Sequence, residues 1–444
     1  MTTGAVQESS PATVPLAVAM QRPRWRDTFQ ALRLHNYRLY AIGQFIVNTS
    51  GWMQRIAVDW LVLEITGSVA LVGLTIALQF LPTLLLGAWA GVVADRLPKR
   101  AVLITAQSAI AVLNAVLAVL AITGAAQLWA VYAIVLGVGV LGTFDGPARS
   151  AFVGEMVGPR HLRNAISVNA SIFHLGALLG PAIAGGLIVV IGSGWAIAAN
   201  ALGGLVAVAL LLGLRMGDLL PSPRASRGNG QIREALRYIL RKPTIFWPMV
   251  MLAIVSTFGM STPVILAGMA ADVYHTGASG YGLYNSLVAV GALLGALAST
   301  RRSSLRVRTV VLGAVVFGVV QMLAGLSPFV PLFLALLIPI GLTRLLFGTA
   351  VETLIQLSSN MAIRGRIMSF WVMVLVGGQA IGGPLMGWLA EIWGPRLALV
   401  FSGAVPAAAA IVIAVVLARG GRLSLQVRPR RRGSWVAIVP KVGS

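Results

Sequence analysis

Apolar residues run along this chain in blocks of about twenty, broken by short polar stretches. They do not fall at the spacing of three or four that marks the buried stripe of a soluble helix. The blocks lie at 39–64, 69–94, 101–123, 127–146, 165–191, 194–214, 245–270, 279–299, 309–327, 330–352, 367–390 and 396–418. At ~1.5 Å per residue each is long enough for a helix to cross the ~30 Å hydrocarbon core of a bilayer. The pattern therefore predicts an all-α membrane protein of twelve transmembrane helices. The longest polar interval, 215–243, contains Pro221, Pro223, Gly228 and Gly230 and reads as a linker. It divides the chain into a tail at 1–35, a six-helix bundle at 36–214, a second at 244–418 and a basic tail at 419–444. Within the linker, Ile232 to Leu240 sets apolar residues at helical spacing opposite arginines, as in a helix lying on a membrane surface. Trp25, Phe29 and Leu32 make a similar interfacial stripe in the first tail.

Charge fixes an orientation. The linker, the tails and the even-numbered connections hold nearly all the cations, and the odd-numbered connections hold one, Arg396. This asymmetry is the positive-inside rule, and it predicts both termini in the cytoplasm. Only 10% of the 444 residues are charged and 57% are hydrophobic, with mean hydropathy +0.87. Soluble domains carry about 25% charged residues. The net charge of +22 invites a nucleic-acid reading. That reading fails, because the cations are scattered over loops rather than gathered in a patch. The absence of cysteine excludes disulfides and thiolate metal sites. No phosphate loop, His-Glu-x-x-His or Gly-x-Ser-x-Gly motif occurs, so nothing supports an enzyme, a cofactor or a bound metal.

Between the second and third blocks stand Gly91, Asp95, Arg96, Lys99 and Arg100. A glycine, then Asp-Arg, then a basic pair resembles the loop signature of the major facilitator superfamily of transporters, with Pro98 where the family usually has glycine. Gly295 to Arg302 is a diverged copy with Ser299 in place of the aspartate, and Gly180-Pro181 corresponds to Gly383-Pro384. Three further stretches narrow the resemblance to the branch of the enterobactin exporter and the macrolide efflux proteins. They are Phe144 to Asn169, with Asp145, Pro147 and Arg149 assigned to the connection between the fourth and fifth spans; Arg233 to Pro243; and Gly277-Ala278-Ser279-Gly280-Tyr281-Gly282-Leu283. The resemblance runs from about Arg33 to Arg419. It implies an inner-membrane secondary transporter that exports a small organic cargo, siderophore-like or drug-like, by alternating access. A lysophospholipid flippase of the same fold is the alternative cargo reading, and a non-transporting scaffold or sensor is the alternative class. The implied partners are the cargo, the bilayer and a coupling proton, and the implied state is a monomer.

The fifth span carries Gly176, Gly180, Pro181 and Gly185, similar to the antiporter signature of drug exporters. These residues make either a pliable interface helix or ordinary close packing. The cation that many proton-coupled exporters carry in the fourth span is missing from Leu128 to Phe144. Ionisable residues inside spans are expensive in lipid and so mark candidate sites. Arg55 and Asp59 share a face of the first span, as a static pair or as a proton-coupling pair. Arg344 falls near the midplane of the tenth. It binds an anionic cargo, pairs with an acid such as Asp59, or is satisfied structurally. Glu352 lies two turns further along, and His174 is an interior histidine or a relay. Gln79, Asn114, Asn169, Asn200, Asn285, Gln321 and Gln379 line the path or link helices. The resemblance also implies a latch, with Asp95 at the start of the eleventh span near Arg364 to Ile367; Arg96, Lys99 and Arg100 both set topology and serve the latch.

Overall fold

The computed structural model describes residues 30–220, 231–299, 307–360, 363–419, 424–427 and 436–439. Its first bundle holds α1 (His35–Thr66), α2 (Val69–Arg96), α3 (Lys99–Ile122), α4 (Leu128–Ile191) and α5 (Ser193–Leu212). A short α6 (Gln231–Arg241) leads into the second bundle. That bundle holds α7 (Pro243–Ile254), α8 (Thr262–Gly268), α9 (Gly277–Ser299), α10 (Val307–Gly325), α11 (Val330–Ser358), α12 (Arg364–Trp393) and α13 (Pro395–Arg419). A two-stranded antiparallel ladder, β1 (Ser424–Val427) with β2 (Val436–Val439), falls in the basic tail.

Among the described residues, ten helical stretches are long and apolar enough to cross a membrane. One is α4, whose 64 residues would reach about 96 Å if straight, three times the hydrocarbon core. It breaks at Gly158, at φ 65 and ψ 175, a left-handed conformation that suits glycine. The loop expected at 147–164 is thus a correction: Asp145, Pro147 and Arg149 lie inside a helix that runs on to Gly158. The reason is visible in burial, because Ala148, Phe152, Val153, Met156 and Val157 keep a helical stripe against the core. The span expected at 245–270 falls within one apolar helical stretch, Pro243–Val273, which is not a continuous α-helix. α7 and α8 are joined by a π-helical segment at Val255–Gly259, and a second, Met269–Val273, follows α8.

The two ends of the molecule differ. Turns at one end, here the short-turn end, are built on Gly67, Gly124, Gly192, Gly277 and Gly394, each with positive φ. The opposite end, here the basic end, carries the 96–99 turn, Gly158, the ends of α5, α9 and α11 and the starts of α10 and α12. Across the bundles, α2 packs on α12 and the second stretch of α4 packs on α9. Both crossings are backbone-close. A methyl group added at Gly383 would lie 2.7 Å from the Gly73 carbonyl oxygen, and one at Gly185 would lie 3.0 Å from that of Ala278. Gly282 meets the carbonyl of Pro181, and Gly73 meets that of Gly383. The two Gly-Pro pairs noted in the sequence therefore occupy equivalent crossings, each facing a glycine early in the partner helix.

Candidate functional site

Between the bundles lies a cavity of about 570 Å³, lined by α1, α2, the second stretch of α4, α7 to α9, α11 and α12. It runs from Asp59 and Pro181, beside the closed short-turn end, towards Ala170, Glu352 and Trp371. Arg55, Asp59, His174, Arg344 and Glu352 all line it. The geometry differs from a set of simple pairs. Arg55 and Asp59 share a helix face but form no ion pair within 4 Å. The Arg55 guanidinium carbon sits 4.8 Å from the centre of the Trp52 ring and 5.5 Å from that of Phe80, a cation–π clamp. Asp59, 7% exposed, instead accepts a 2.9 Å hydrogen bond from the fully buried Tyr281 hydroxyl of the opposite bundle. Tyr281 is held by stacking on Trp60, with ring centres 6.2 Å apart.

Arg344 projects from α11 into the cavity wall, with no described carboxylate within 4 Å. Glu352, two turns on, accepts from Gln356 Nε2 at 3.1 Å. His174 stands edge-on to Phe173, with ring centres 5.7 Å apart. The neutral polar residues divide. Gln79, Asn285 and Gln379 line the cavity. Asn114 donates to Asn200 at 2.8 Å, Asn200 to Ser50 at 3.2 Å, Tyr37 to Asn169 at 3.1 Å and Gln321 to Ser402 at 2.6 Å, so these link helices. Sequence reasoning missed Tyr281, Trp52 and Phe80. Tyr281 stands inside a stretch quoted above only for its resemblance.

The remaining motif residues lie away from the cavity. Asp145 and Arg149, one turn apart on α4, pair at 2.6 Å; Asp145 also accepts from Gln107 at 3.0 Å, and Arg149 donates to Gln44. Lys99 pairs with Glu155 at 2.9 Å. Arg100 donates to the last carbonyls of α5, Leu211 at 2.9 Å and Leu212 at 2.8 Å, where a cation complements the helix dipole. Arg96 is exposed, and nothing described lies within 4 Å of a methyl placed on Gly91. The Asp95 side chain lies outside the described residues, as do Trp25 and Phe29. Gly176 and Gly180 pack on Asn48, Thr49 and Trp52 of α1, while Gly185 packs on α9.

The family model for transmembrane secretion effectors of the major facilitator superfamily matches residues 26–432. The chain belongs to this family. Among its curated relatives, the enterobactin exporter of Citrobacter koseri is 26% identical over 392 residues, covering 86% of this chain and 92% of the relative. That of Salmonella typhi is also 26% identical over 392 residues, with 86% and 93% covered. Among solved structures, an inward-facing bacterial homologue of the iron transporter ferroportin superposes with a TM-score of 0.68 at 16% identity, covering 86% of this chain and 98% of that one. A bacterial homologue of the lysosomal transporter Spinster, inward-facing and occupied, gives 0.68 at 16%, with 85% and 96% covered. At such identities the structures show the fold alone. This secretion effector is thus a multi-pass membrane transporter rather than an enzyme, homologous to an exporter, with a largely apolar cavity carrying a few ionisable side chains between two helical bundles.

Proposed function

We propose that the chain is a secondary active exporter of a small organic molecule, siderophore-like or drug-like, working by alternating access on an ion gradient. The observation that carries this reading is the cavity itself. It is shared by both bundles, closed at the short-turn end by glycine crossings, and furnished with Arg344, which has no described carboxylate within 4 Å. A charge at that depth calls for an anion, and the cargo is the available source. Counting α4 as two crossings broken at Gly158, and adding α1 to the ten apolar stretches, gives twelve. On this reading the positive-inside bias orients the termini and the basic end towards the cytoplasm, in an inner membrane, and the arrangement described is open to the inside. The chain acts as a monomer. Asp59 carries ion coupling, with a proton as the coupling ion, because it accepts from a phenol of the other bundle and forms no ion pair with Arg55 within 4 Å. Asp95 latches the opposite closed state at the start of α12.

Proteoliposome export assays test this. Arg344→Gln should raise the apparent affinity constant for an anionic cargo by roughly tenfold or more and spare neutral analogues, since a charged hydrogen bond contributes about 1.5–3 kcal/mol. Arg344→Lys should recover only part, because an ammonium lacks the guanidinium fork. Unaltered kinetics for anionic and neutral compounds alike in Arg344→Gln would remove Arg344 from recognition.

A further inference from the structure

One contact joins the bundles at the rim of the closed end, away from the cavity. Glu391, near the end of α12, accepts from the Ser68 hydroxyl at 2.5 Å and from the backbone N–H of Ala70 at 3.0 Å. Ser68 is the N-cap of α2, and its own oxygen accepts from the Leu71 N–H at 3.3 Å. A helix start leaves N–H groups without partners and carries partial positive charge. A carboxylate three residues into the same helix commonly completes such a cap. In α2 that position is Leu71, and the first turn holds no acidic residue. The carboxylate comes from the other bundle instead.

The backbone explains how it reaches. Gly383, Gly387 and Glu391 are four apart and so share one face of α12. A methyl on Gly387 would sit 2.7 Å from the Val69 carbonyl oxygen and 3.0 Å from the Ala70 Cα, so the lack of side chains there sets the approach. We infer that Glu391 is a clasp: it caps α2 from the opposite bundle only while the short-turn end is closed, and so favours that closed arrangement. Glu391 does not line the cavity; it is a positioning residue for the transport cycle. The inference rests on the alternating access proposed above. The contact is exposed, hence screened and weak enough to break once per cycle.

The chain has no cysteine, so spin labels at Ile65→Cys and Asp272→Cys, both exposed on opposite bundles at this end, report its opening without background. In full-length protein in nanodiscs, Glu391→Gln should raise the long-distance, open population roughly two- to fivefold. A second variant separates clasping from local capping. In Glu391→Ala with Ser68→Asp, the aspartate caps α2 from its own helix. Thermal stability should return to the wild-type value while the open population stays raised. Return of the distances to wild type in that double variant would show mere capping and overturn the clasp. So would unchanged distances in Glu391→Gln alongside a second distance in Gly282→Val, whose added side chain wedges the α4–α9 crossing. One invariant distance in every variant, Gly282→Val included, would overturn alternating access and the clasp together.

Discussion

At the short-turn end, Gly73 lies against Gly383, Gly282 against Pro181, and Glu391 reaches Ser68, so these contacts cross between bundles. At the basic end, Lys99 pairs with Glu155, Arg149 with Asp145, Arg100 caps α5, and Lys242 reaches the Ser358 carbonyl at the end of α11 at 2.6 Å. Each of these stays within its own bundle. Glycines differ in the same sense. Those on the α2–α12 and α4–α9 crossings are filled by the partner's backbone, while Gly91, Gly348 and Gly365 meet no described atom within 4 Å of an added methyl. The contrast has a physical meaning for a protein that must rearrange. Ion pairs inside a bundle keep their partners when the bundle turns as a body, so no charge is left unpaired in lipid. Glycine crossings hold by close packing alone and separate without stranding a charge.

The largest test of that division is Asp145→Ala. It leaves the Arg149 guanidinium largely buried beside Gln44 with no carboxylate, and should cost about 3 kcal/mol or more of stability. Thermal unfolding in detergent should show the loss. The distances between labels across the short-turn end should not change in the fraction that remains folded; if they do, the basic-end pairs are not internal struts. Gly282→Val comes next. Overpacking costs about 1–3 kcal/mol, which here falls on the closed short-turn end alone. Opening should rise roughly 5-fold or more, with little loss of helix content by circular dichroism. Tyr281→Phe is smaller, because the ring and its stacking on Trp60 remain and only the hydroxyl to Asp59 is lost, about 1–2 kcal/mol. Its effect on opening should vanish in an Asp59→Ala background, which leaves the hydroxyl no acceptor at that position. Additive effects of the two changes would mean that the hydrogen bond does not couple the bundles.

The apolar blocks were legible because a bilayer demands about twenty apolar residues per crossing, whatever packs around them. The α4 continuation was not, since Pro147 and Arg149 read as loop residues while the buried stripe from Ala148 to Val157 shows only in three dimensions. The π segments around α8 leave no mark in hydropathy at all. In the site, burial cost alone singled out Arg55, Asp59, His174, Arg344 and Glu352, which line one cavity. Their partners escaped the same reasoning. Spacing suggested Arg55 for Asp59, whereas Tyr281 lies 222 positions away in sequence. A contact between bundles depends on how two repeats dock, and local periodicity carries no information about that.

The smallest expected effect belongs to Gly91, and it probes the end that is apart. Gly91→Ala adds a methyl that nothing described opposes in this arrangement. The helix propensity gained, about 0.5–1 kcal/mol, is the same whichever end is closed and cancels between the two states. If the basic end closes by glycine crossings, as its counterpart does, the methyl must be accommodated there and disfavours only that closed state. Gly91→Ala should therefore leave stability unchanged or slightly improved and shift the population towards the arrangement described, by roughly two- to fivefold for about 0.5–1 kcal/mol. Spin labels at Arg160→Cys and Arg366→Cys, on opposite bundles at the basic end, would read the shift as a loss of the short distance. An unchanged distribution would mean that the basic end closes through side chains instead of backbone. The likeness between the two ends would then stop at the α2–α12 and α4–α9 crossings.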